Sequence, residues 1–164
     1  MKTSFVALVF GVVLATLSSL AFAQRAVILV RHAERLDKSE DTPLSKAGEA
    51  RAQLLARLLK DAGITAIYTS QFQRTIKTAE PLASALKIKS IGIPAADREG
   101  LLKRLRADNR DDVVLIVGHD SSLPAILKLF GHPKDIKIAP NEYDNLFVLV
   151  PKDTGPPTVL RLRY

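Results

Sequence analysis

Several residue types are missing or rare in this 164-residue chain, and each absence excludes a class of protein. The chain has no Cys and no Trp, and aromatic residues make up only 5% of it. Without Cys there is no disulfide scaffold, no thiol nucleophile, no Cys-ligated zinc or iron–sulfur site and no acylated lipoprotein anchor. Hydrophobic residues make up 47%, an ordinary share that excludes wholesale disorder. One apolar core must therefore hold the fold, and the length suits a single domain.

The longest apolar run lies at the N-terminus. Lys2 precedes an almost continuous apolar stretch from Phe5 to Leu20, and Ala21-Phe22-Ala23 has the small-residue pattern after which signal peptidase cleaves. This pattern predicts a signal peptide over residues 1–23 and a single domain over residues 24–164. The protein would then be exported, periplasmic or secreted, with no stable membrane anchor after cleavage. The alternative is an uncleaved anchor, because residues 5–22 approach the ~20 residues that a membrane span needs.

After residue 23, apolar runs that are typical of buried strands alternate with helical patterns. The strand-like runs are Ala26–Val30, Ile64–Tyr68, part of Ile88–Ile93, and Val113–Val117. At the end of the chain, Leu146–Val150 and Thr158–Tyr164 flank a Pro/Gly-rich turn and predict an antiparallel hairpin at the sheet edge. This order predicts an α/β protein, a three-layer α/β/α sandwich with a mainly parallel sheet.

Four helices are predicted between these strands. Ser45 is placed to cap the first helix and Gly63 to end it, Asp97 to cap the third, and Ser121 or Ser122 to cap the fourth. The apolar stripe of the first helix is predicted at Ala47, Ala50, Leu54, Leu55, Leu58 and Leu59. That of the second helix is predicted at Phe72, Ile76, Ala79 and Ala83.

Two of the three histidines directly follow strong strand patterns. Arg31-His32 comes after the first strand, and His119 comes after the strand that ends near Val117. The carboxyl ends of strands in an open α/β sheet are where ligands bind, so we expect both histidines at the functional edge. An Arg guanidinium can hold phosphoryl oxygens bidentately, and a neutral imidazole can attack phosphorus. His132 follows a helix end and is interpreted as a capping or surface residue.

Four segments resemble, in order, the motifs of the histidine phosphatase superfamily, whose fold is phosphoglycerate-mutase-like. They are Leu29–Glu34 (LVRHAE), Pro43–Gly48 (PLSKAG), Tyr68-Thr69-Ser70 with Arg74 and Thr78-Ala79, and Val117-Gly118-His119. The chain looks like a short bacterial exported member. Ala33 replaces a Gly that is common in mutases. No long insertion precedes His119, so the pocket is expected to be open.

The resemblance implies roles for individual residues. His32 is the nucleophile that forms a phosphohistidine, His119 stabilises the transferred charge, and Arg31, His32, Arg74 and His119 together bind phosphate. No metal and no other cofactor is implied.

The general acid that protonates the leaving group has more than one candidate. Asp120 follows His119 directly, as in the branch of the superfamily that contains acid phosphatases and phytases, whereas Asp97 and Glu99 lie where short bacterial members carry their acid. Asp120 also suits a helix N-terminus and Asp97 a helix cap. Asp120 and Asp97 therefore remain equal candidates, with Glu99 behind them, and Ser70 is interpreted as a helix cap rather than a phosphate ligand.

The sequence thus predicts a metal-independent phosphatase that hydrolyses phosphomonoesters or phosphoramidates, with an anionic phosphorylated substrate as its partner. The alternatives are a phosphohistidine-protein phosphatase and a non-catalytic phosphate- or envelope-binding module on the same fold. Nucleic acid is not an expected partner, because few aromatics accompany the basic cluster of Lys103, Arg104, Arg106 and Arg110. The sequence predicts no particular oligomeric state.

Overall fold

The computed structural model describes residues 24–108 and 112–164. Residues 1–23, with the predicted signal peptide, and residues 109–111, with Arg110 of the basic cluster, lie outside the described residues. The strands in the described part are β1 (Ala26–Arg31), β2 (Ile64–Thr69), β3 (Ile91–Gly92), β4 (Val113–Gly118), β5 (Asn145–Val150) and β6 (Thr158–Arg163). The helices are α1 (Lys46–Leu59), α2 (Gln73–Leu86), α3 (Arg98–Asp108) and α4 (Ser122–Leu129). None of these helices has the length and apolar content needed to cross a membrane.

The described strands form one sheet in the order β3-β2-β4-β1-β5-β6. The pairs β2–β3, β2–β4 and β1–β4 are parallel, whereas β5 pairs antiparallel with both β1 and β6. The predicted α/β fold, with its parallel centre and its antiparallel C-terminal hairpin, is confirmed.

Each face of the sheet carries its own core, because successive strand residues point to opposite sides. Along β1, Val27 and Leu29 pack with residues of α3 and α4, whereas Ile28 and Val30 pack with residues of α1 and α2. This arrangement makes the three predicted layers and explains why β1 and β4 read as continuous apolar runs rather than alternating ones.

The predicted stripe of α1 is confirmed at Leu55 and Leu59, which are buried, and is wrong at its other four positions. Leu54 is 40% exposed and Leu58 is 53% exposed, and Ala47 and Ala50 are exposed as well. The buried face consists of Gly48, Ala52, Leu55, Ala56 and Leu59. Small residues dominate this face because α1 packs closely: a Cβ on Gly48 would lie within 2.3 Å of the Glu34 carbonyl oxygen. Apolar periodicity alone favoured the bulkier leucines of the outer face.

The predicted helix ends are largely observed. The Ser45 side chain accepts a hydrogen bond from the Gly48 N–H at the start of α1, and Asp97 Oδ1 accepts from the Gly100 N–H at the start of α3. Gly63 adopts φ +69° in the turn between Leu59 and β2, a conformation that glycine tolerates. Ser121 is the N-cap residue of α4, but its side chain makes no capping hydrogen bond.

Candidate active site

The sheet register brings the two predicted site histidines together. Arg31 pairs with Gly118 across the parallel strands β1 and β4, so that His32 and His119 lie side by side just beyond the strand ends. The His32 N–H donates to the Gly118 carbonyl at 2.9 Å, and the imidazole centroids are 5.3 Å apart. An open cleft of about 320 Å³ at this edge is lined by all four predicted phosphate-binding residues, Arg31, His32, Arg74 and His119, and by Asp120.

His32 is held as a neutral imidazole with a defined proton position. Its Nδ1 lies 2.8 Å from the Ala33 carbonyl oxygen, which can only accept, so the Nδ1 atom carries the proton. Burial lowers the pKa of His32 to about 3, and the neighbouring His119 and Arg31 act in the same direction. The ring is therefore neutral near pH 7, and its Nε2 atom keeps a lone pair. Within the described part of the chain, Nε2 makes no hydrogen bond.

His119 is oriented by two hydroxyl groups. The Thr75 hydroxyl donates to the Phe72 carbonyl at 2.8 Å, so the Ser70 hydroxyl must donate to Thr75 Oγ1, which lies 2.9 Å away. Ser70 Oγ is then free to accept from His119 Nε2 at 3.1 Å. Burial lowers the pKa of His119 to about 4, and Arg74 adds to the shift. Ser70, interpreted from sequence as a helix cap, thus touches a site residue, and the N-cap residue of α2 is Phe72.

The Arg31 guanidinium is almost entirely buried and held on several sides. Its Nη1 donates to the carbonyl oxygens of Ala139, Pro140 and Glu142, at 3.0, 2.9 and 3.2 Å. Its Nη2 lies 3.0 Å from Asp120 Oδ2, and the Tyr143 ring stacks on it with 4.2 Å between the guanidinium carbon and the ring centroid.

Arg74 enters the cleft from the first turn of α2. Its Nη1 donates to the Glu40 carbonyl at 2.7 Å, and its guanidinium stacks on the Phe72 ring at 4.2 Å. The N-terminus of α2 is capped from a distant loop, because Asp41 Oδ1 accepts from the Gln73 N–H at 2.7 Å. The guanidinium groups of Arg31 and Arg74 each retain a buried Nε–H without a hydrogen-bond acceptor among the described residues.

The three candidate acids occupy different places. Asp120 lines the cleft and pairs with Arg31. Asp97 lies at the start of α3, where its carboxylate caps the helix and lines a narrow crevice that reaches Ser70 and His119 from the other side. Glu99 is exposed on the outer surface of α3. The structure therefore brings Asp120 into contact with the predicted phosphate-binding residues, and leaves Asp97 and Glu99 outside the cleft.

Residues at this edge that sequence reasoning missed include Tyr143, Phe72 and Arg35. The Tyr143 ring lies against both Arg31 and His32, and the centroids of the Tyr143 and His32 rings are 5.9 Å apart. Phe72 meets His119 edge-on and Arg35 lines the cleft. A lone aromatic in a polar loop gave no signal, although the position of Arg35 close to the histidine motif could have suggested a role. Among the described residues, no group of three or more His, Asp or Glu side chains is placed to hold a metal ion.

Sequence comparison gives a family and partial relatives. A family model described as histidine phosphatase superfamily (branch 1) matches residues 27–101. The chain is 38% identical over 93 residues to "Probable phosphoglycerate mutase GpmB" of Photorhabdus laumondii, covering 51% of this chain and 43% of that protein. It is 37% identical over 75 residues to the protein of the same name from Yersinia enterocolitica, covering 42% and 35%. The chain thus spans about two fifths or less of the length of these relatives.

Solved structures share the fold over most of the chain. A mycobacterial glucosyl-3-phosphoglycerate phosphatase solved with VO3 has a TM-score of 0.66 at 14% identity, covering 85% of this chain and 98% of that one. The protein histidine phosphatase SixA with tungstate has a TM-score of 0.65 at 19% identity, covering 84% and 96%. A phosphoserine phosphatase from Entamoeba histolytica has a TM-score of 0.63 at 16% identity, covering 85% and 96%. At these identities the likeness concerns the fold.

Proposed function

We propose that the chain is a member of the histidine phosphatase superfamily and hydrolyses phosphomonoesters through a phosphohistidine on His32. One observation carries the proposal: a neutral imidazole with a free Nε2 shares a cleft with two guanidinium groups and a second neutral imidazole. Phosphoryl transfer requires mainly that the group be positioned and its charge be neutralised. The four side chains can do both without a metal or another cofactor.

The first step is the transfer of the phosphoryl group to the protein. The lone pair of His32 Nε2 forms the N–P bond while the ester O–P bond breaks. Arg31 and Arg74 stabilise the charge on the equatorial oxygens. His119 joins them by taking a proton on Nδ1 when the anionic substrate binds, because its neutral form gives its one N–H to Ser70. In the second step a water molecule attacks phosphorus, the N–P bond breaks, and His32 returns to its neutral form as phosphate leaves.

Asp120 is the general acid that we favour. Both carboxylates have partners: Asp120 pairs with Arg31 and accepts from the Ser121 N–H, and Asp97 caps α3. Only Asp120 borders the cleft, where it is about one third exposed, so a leaving oxygen can reach it. Asp120 would protonate the leaving oxygen in the first step and take a proton from the attacking water in the second.

The test is hydrolysis of an aryl phosphate by the protein in the presence of a chelator. Wild-type protein and His132→Ala, which removes the histidine outside the cleft, should turn over, and His32→Ala should not. Turnover that survives in His32→Ala, or that requires an added metal ion, would contradict the proposed mechanism.

The acid assignment has a separate test on two leaving groups. Asp120→Asn should slow hydrolysis of an alkyl phosphate much more than that of a nitrophenyl phosphate, because only the poor leaving group needs a proton. Asp97→Asn is the matched comparison. The opposite pattern would move the role to Asp97.

A phosphohistidine peptide is the second substrate class to assay. The open cleft favours it, because an exposed phosphorylated side chain of a protein could enter without displacing a lid. Hydrolysis of the N–P bond by wild-type protein, with little dependence on Asp120, would support this alternative. Binding of phosphate without turnover of any substrate would instead support a non-catalytic phosphate-binding module.

We also propose that the protein is exported and cleaved after Ala23. The pattern Ala21-Phe22-Ala23 behind an apolar run supports this proposal. N-terminal sequencing of protein from fractionated cells should begin at Gln24. Protein that retains Met1 in the membrane fraction would support an uncleaved anchor instead.

A further inference from the structure

We propose that Glu142 positions the phosphate-binding guanidinium of Arg31 by fixing the loop of residues 139–144 against strand β6. Glu142 would then be a positioning residue that acts on the substrate only through Arg31. The inference rests on the proposed function, because it assumes that Arg31 holds a phosphoryl group.

The 139–144 loop supplies most of the groups that hold Arg31. Three of its carbonyl oxygens, those of Ala139, Pro140 and Glu142, surround Arg31 Nη1, and the Tyr143 ring covers the guanidinium at 4.2 Å. These contacts leave the Nε–H and the second Nη2 proton without an acceptor in the described part of the chain. The direction of those donors therefore depends on where the loop carbonyls lie.

The loop has no helix or strand of its own and is tied to its surroundings at two residues. The Asp144 carboxylate at its end lies 2.6 Å from Arg163 Nη1 and the Asp144 carbonyl accepts from the Tyr164 N–H, whereas the Glu142 carboxylate fixes the part that carries the Arg31-binding carbonyls. One oxygen, Oε2, accepts from the Ala139 N–H at 2.8 Å and closes the loop on itself. The other, Oε1, lies 2.7 Å from Arg163 Nη2, and Arg161 Nη2 is 3.5 Å from Oε2. Arg161 and Arg163 belong to β6, so this carboxylate ties the loop to the edge strand.

The connection runs from the last strand of the chain to the first. Arg163 and Arg161 pair with the Glu142 carboxylate, which also accepts from the Ala139 N–H. The loop carbonyls in turn accept from Arg31 at the end of β1. These contacts order the long Arg31 side chain before an anion binds. Arg31 therefore loses less conformational freedom on binding, and the anion binds more tightly. The backbone N–H and two guanidinium groups around Glu142 also hold its pKa down at about 2, so that the carboxylate is ionised throughout the working pH range.

A double-mutant cycle on phosphate binding tests the inference. The dissociation constant of inorganic phosphate is measured by calorimetry for the wild-type protein, Glu142→Ala, Arg31→Ala and the double variant. Glu142→Ala should weaken phosphate binding by about tenfold in the wild-type background, and by no more than roughly twofold when Arg31 is already replaced. Losses that add in the double variant, or no loss in Glu142→Ala, would overturn the proposal.

Further variants separate positioning from damage to the fold. Glu142→Gln keeps one acceptor oxygen and should recover part of the affinity. Glu80→Gln, which removes the exposed pair with Lys77 at 2.9 Å, is the matched surface control and should bind as wild type does. Thermal unfolding checks each variant, and Arg31→Lys replaces Arg31→Ala in the cycle if the latter does not fold.

The outcomes distinguish this proposal from the proposed function. Turnover by wild type with no coupling between Glu142 and Arg31 refutes the positioning role alone. Coupled phosphate binding without turnover of any substrate refutes the phosphatase and leaves the positioning role standing. A wild-type protein that binds no phosphate refutes both.

Discussion

The neutral His32 at the sheet edge should make the folded protein sensitive to acid. Burial lowers its pKa to about 3 in the folded protein, whereas in the unfolded chain a histidine titrates near 6.5. The unfolded state therefore binds a proton more readily below pH 6.5. The stability associated with this group is fully present above pH 6.5 and is lost as the pH falls towards 3.

The size of the effect follows from these two pKa values. One group that titrates near 6.5 when unfolded and near 3 when folded reduces the free energy of unfolding by about 2.7 kcal/mol between pH 7.5 and pH 4.5. A variant without the imidazole loses this term. His32→Asn is suitable, because its amide can still donate to the Ala33 carbonyl that His32 Nδ1 contacts.

The assay is urea unfolding of wild type and His32→Asn at several pH values between 7.5 and 4.5. The difference in unfolding free energy, wild type minus variant, should fall by about 2 to 3 kcal/mol over this range. His119, whose pKa burial lowers to about 4, titrates in both proteins. His132→Asn is the control for removing a histidine that lies outside the cleft. Parallel curves for wild type and His32→Asn would refute a neutral, buried His32.

Two further substitutions probe the segment that follows the first histidine. Gly48→Ala should lower the free energy of unfolding by about 1 to 3 kcal/mol, because its new Cβ would meet the Glu34 carbonyl oxygen at 2.3 Å. Urea unfolding measures this change, and an unchanged midpoint would show that α1 can move away from Glu34. Arg51→Met should lower the free energy of unfolding by about 1 to 2 kcal/mol at pH 7, because it removes hydrogen bonds of 2.7 to 3.0 Å to the half-buried Glu34 carboxylate. Adding Glu34→Gln should recover part of that loss, and a further loss instead would mean that Arg51 acts mainly through its hydrogen bond to the Tyr164 carbonyl.

The features that could be predicted from sequence depend on local patterns. Two unbroken apolar runs, each followed two residues later by a histidine, are sufficient to predict both histidines at one edge of a parallel sheet. They do not define the register, which depends on the pairing of Arg31 with Gly118 between segments almost ninety residues apart. The resemblance to a family supplied Arg74, whose position in the first turn of a helix would otherwise have suggested a solvent-exposed cation.

Features that depend on tertiary packing escaped prediction. The 139–144 loop has no periodicity, and it contacts Arg31 through backbone carbonyl groups, which every residue type has, so no residue type marks them in the sequence. Similarly, the buried face of α1 follows from the close approach of Gly48 to the backbone at Glu34, which an apolar count ignores. Coordinates were needed to see that Asp120 lines the cleft and Asp97 does not, because both residues precede helices in the sequence.

Strand β4 lies between β1 and β2 in the sheet, although it is synthesised after both. When the chain has left the ribosome only as far as α3, β1 and β2 have no strand between them. Their apolar side chains then cannot pack as parts of one sheet. The sheet therefore cannot close at its centre before Val113–Gly118 is available. The residues matched by the family model, 27–101, do not suffice to build this sheet on their own.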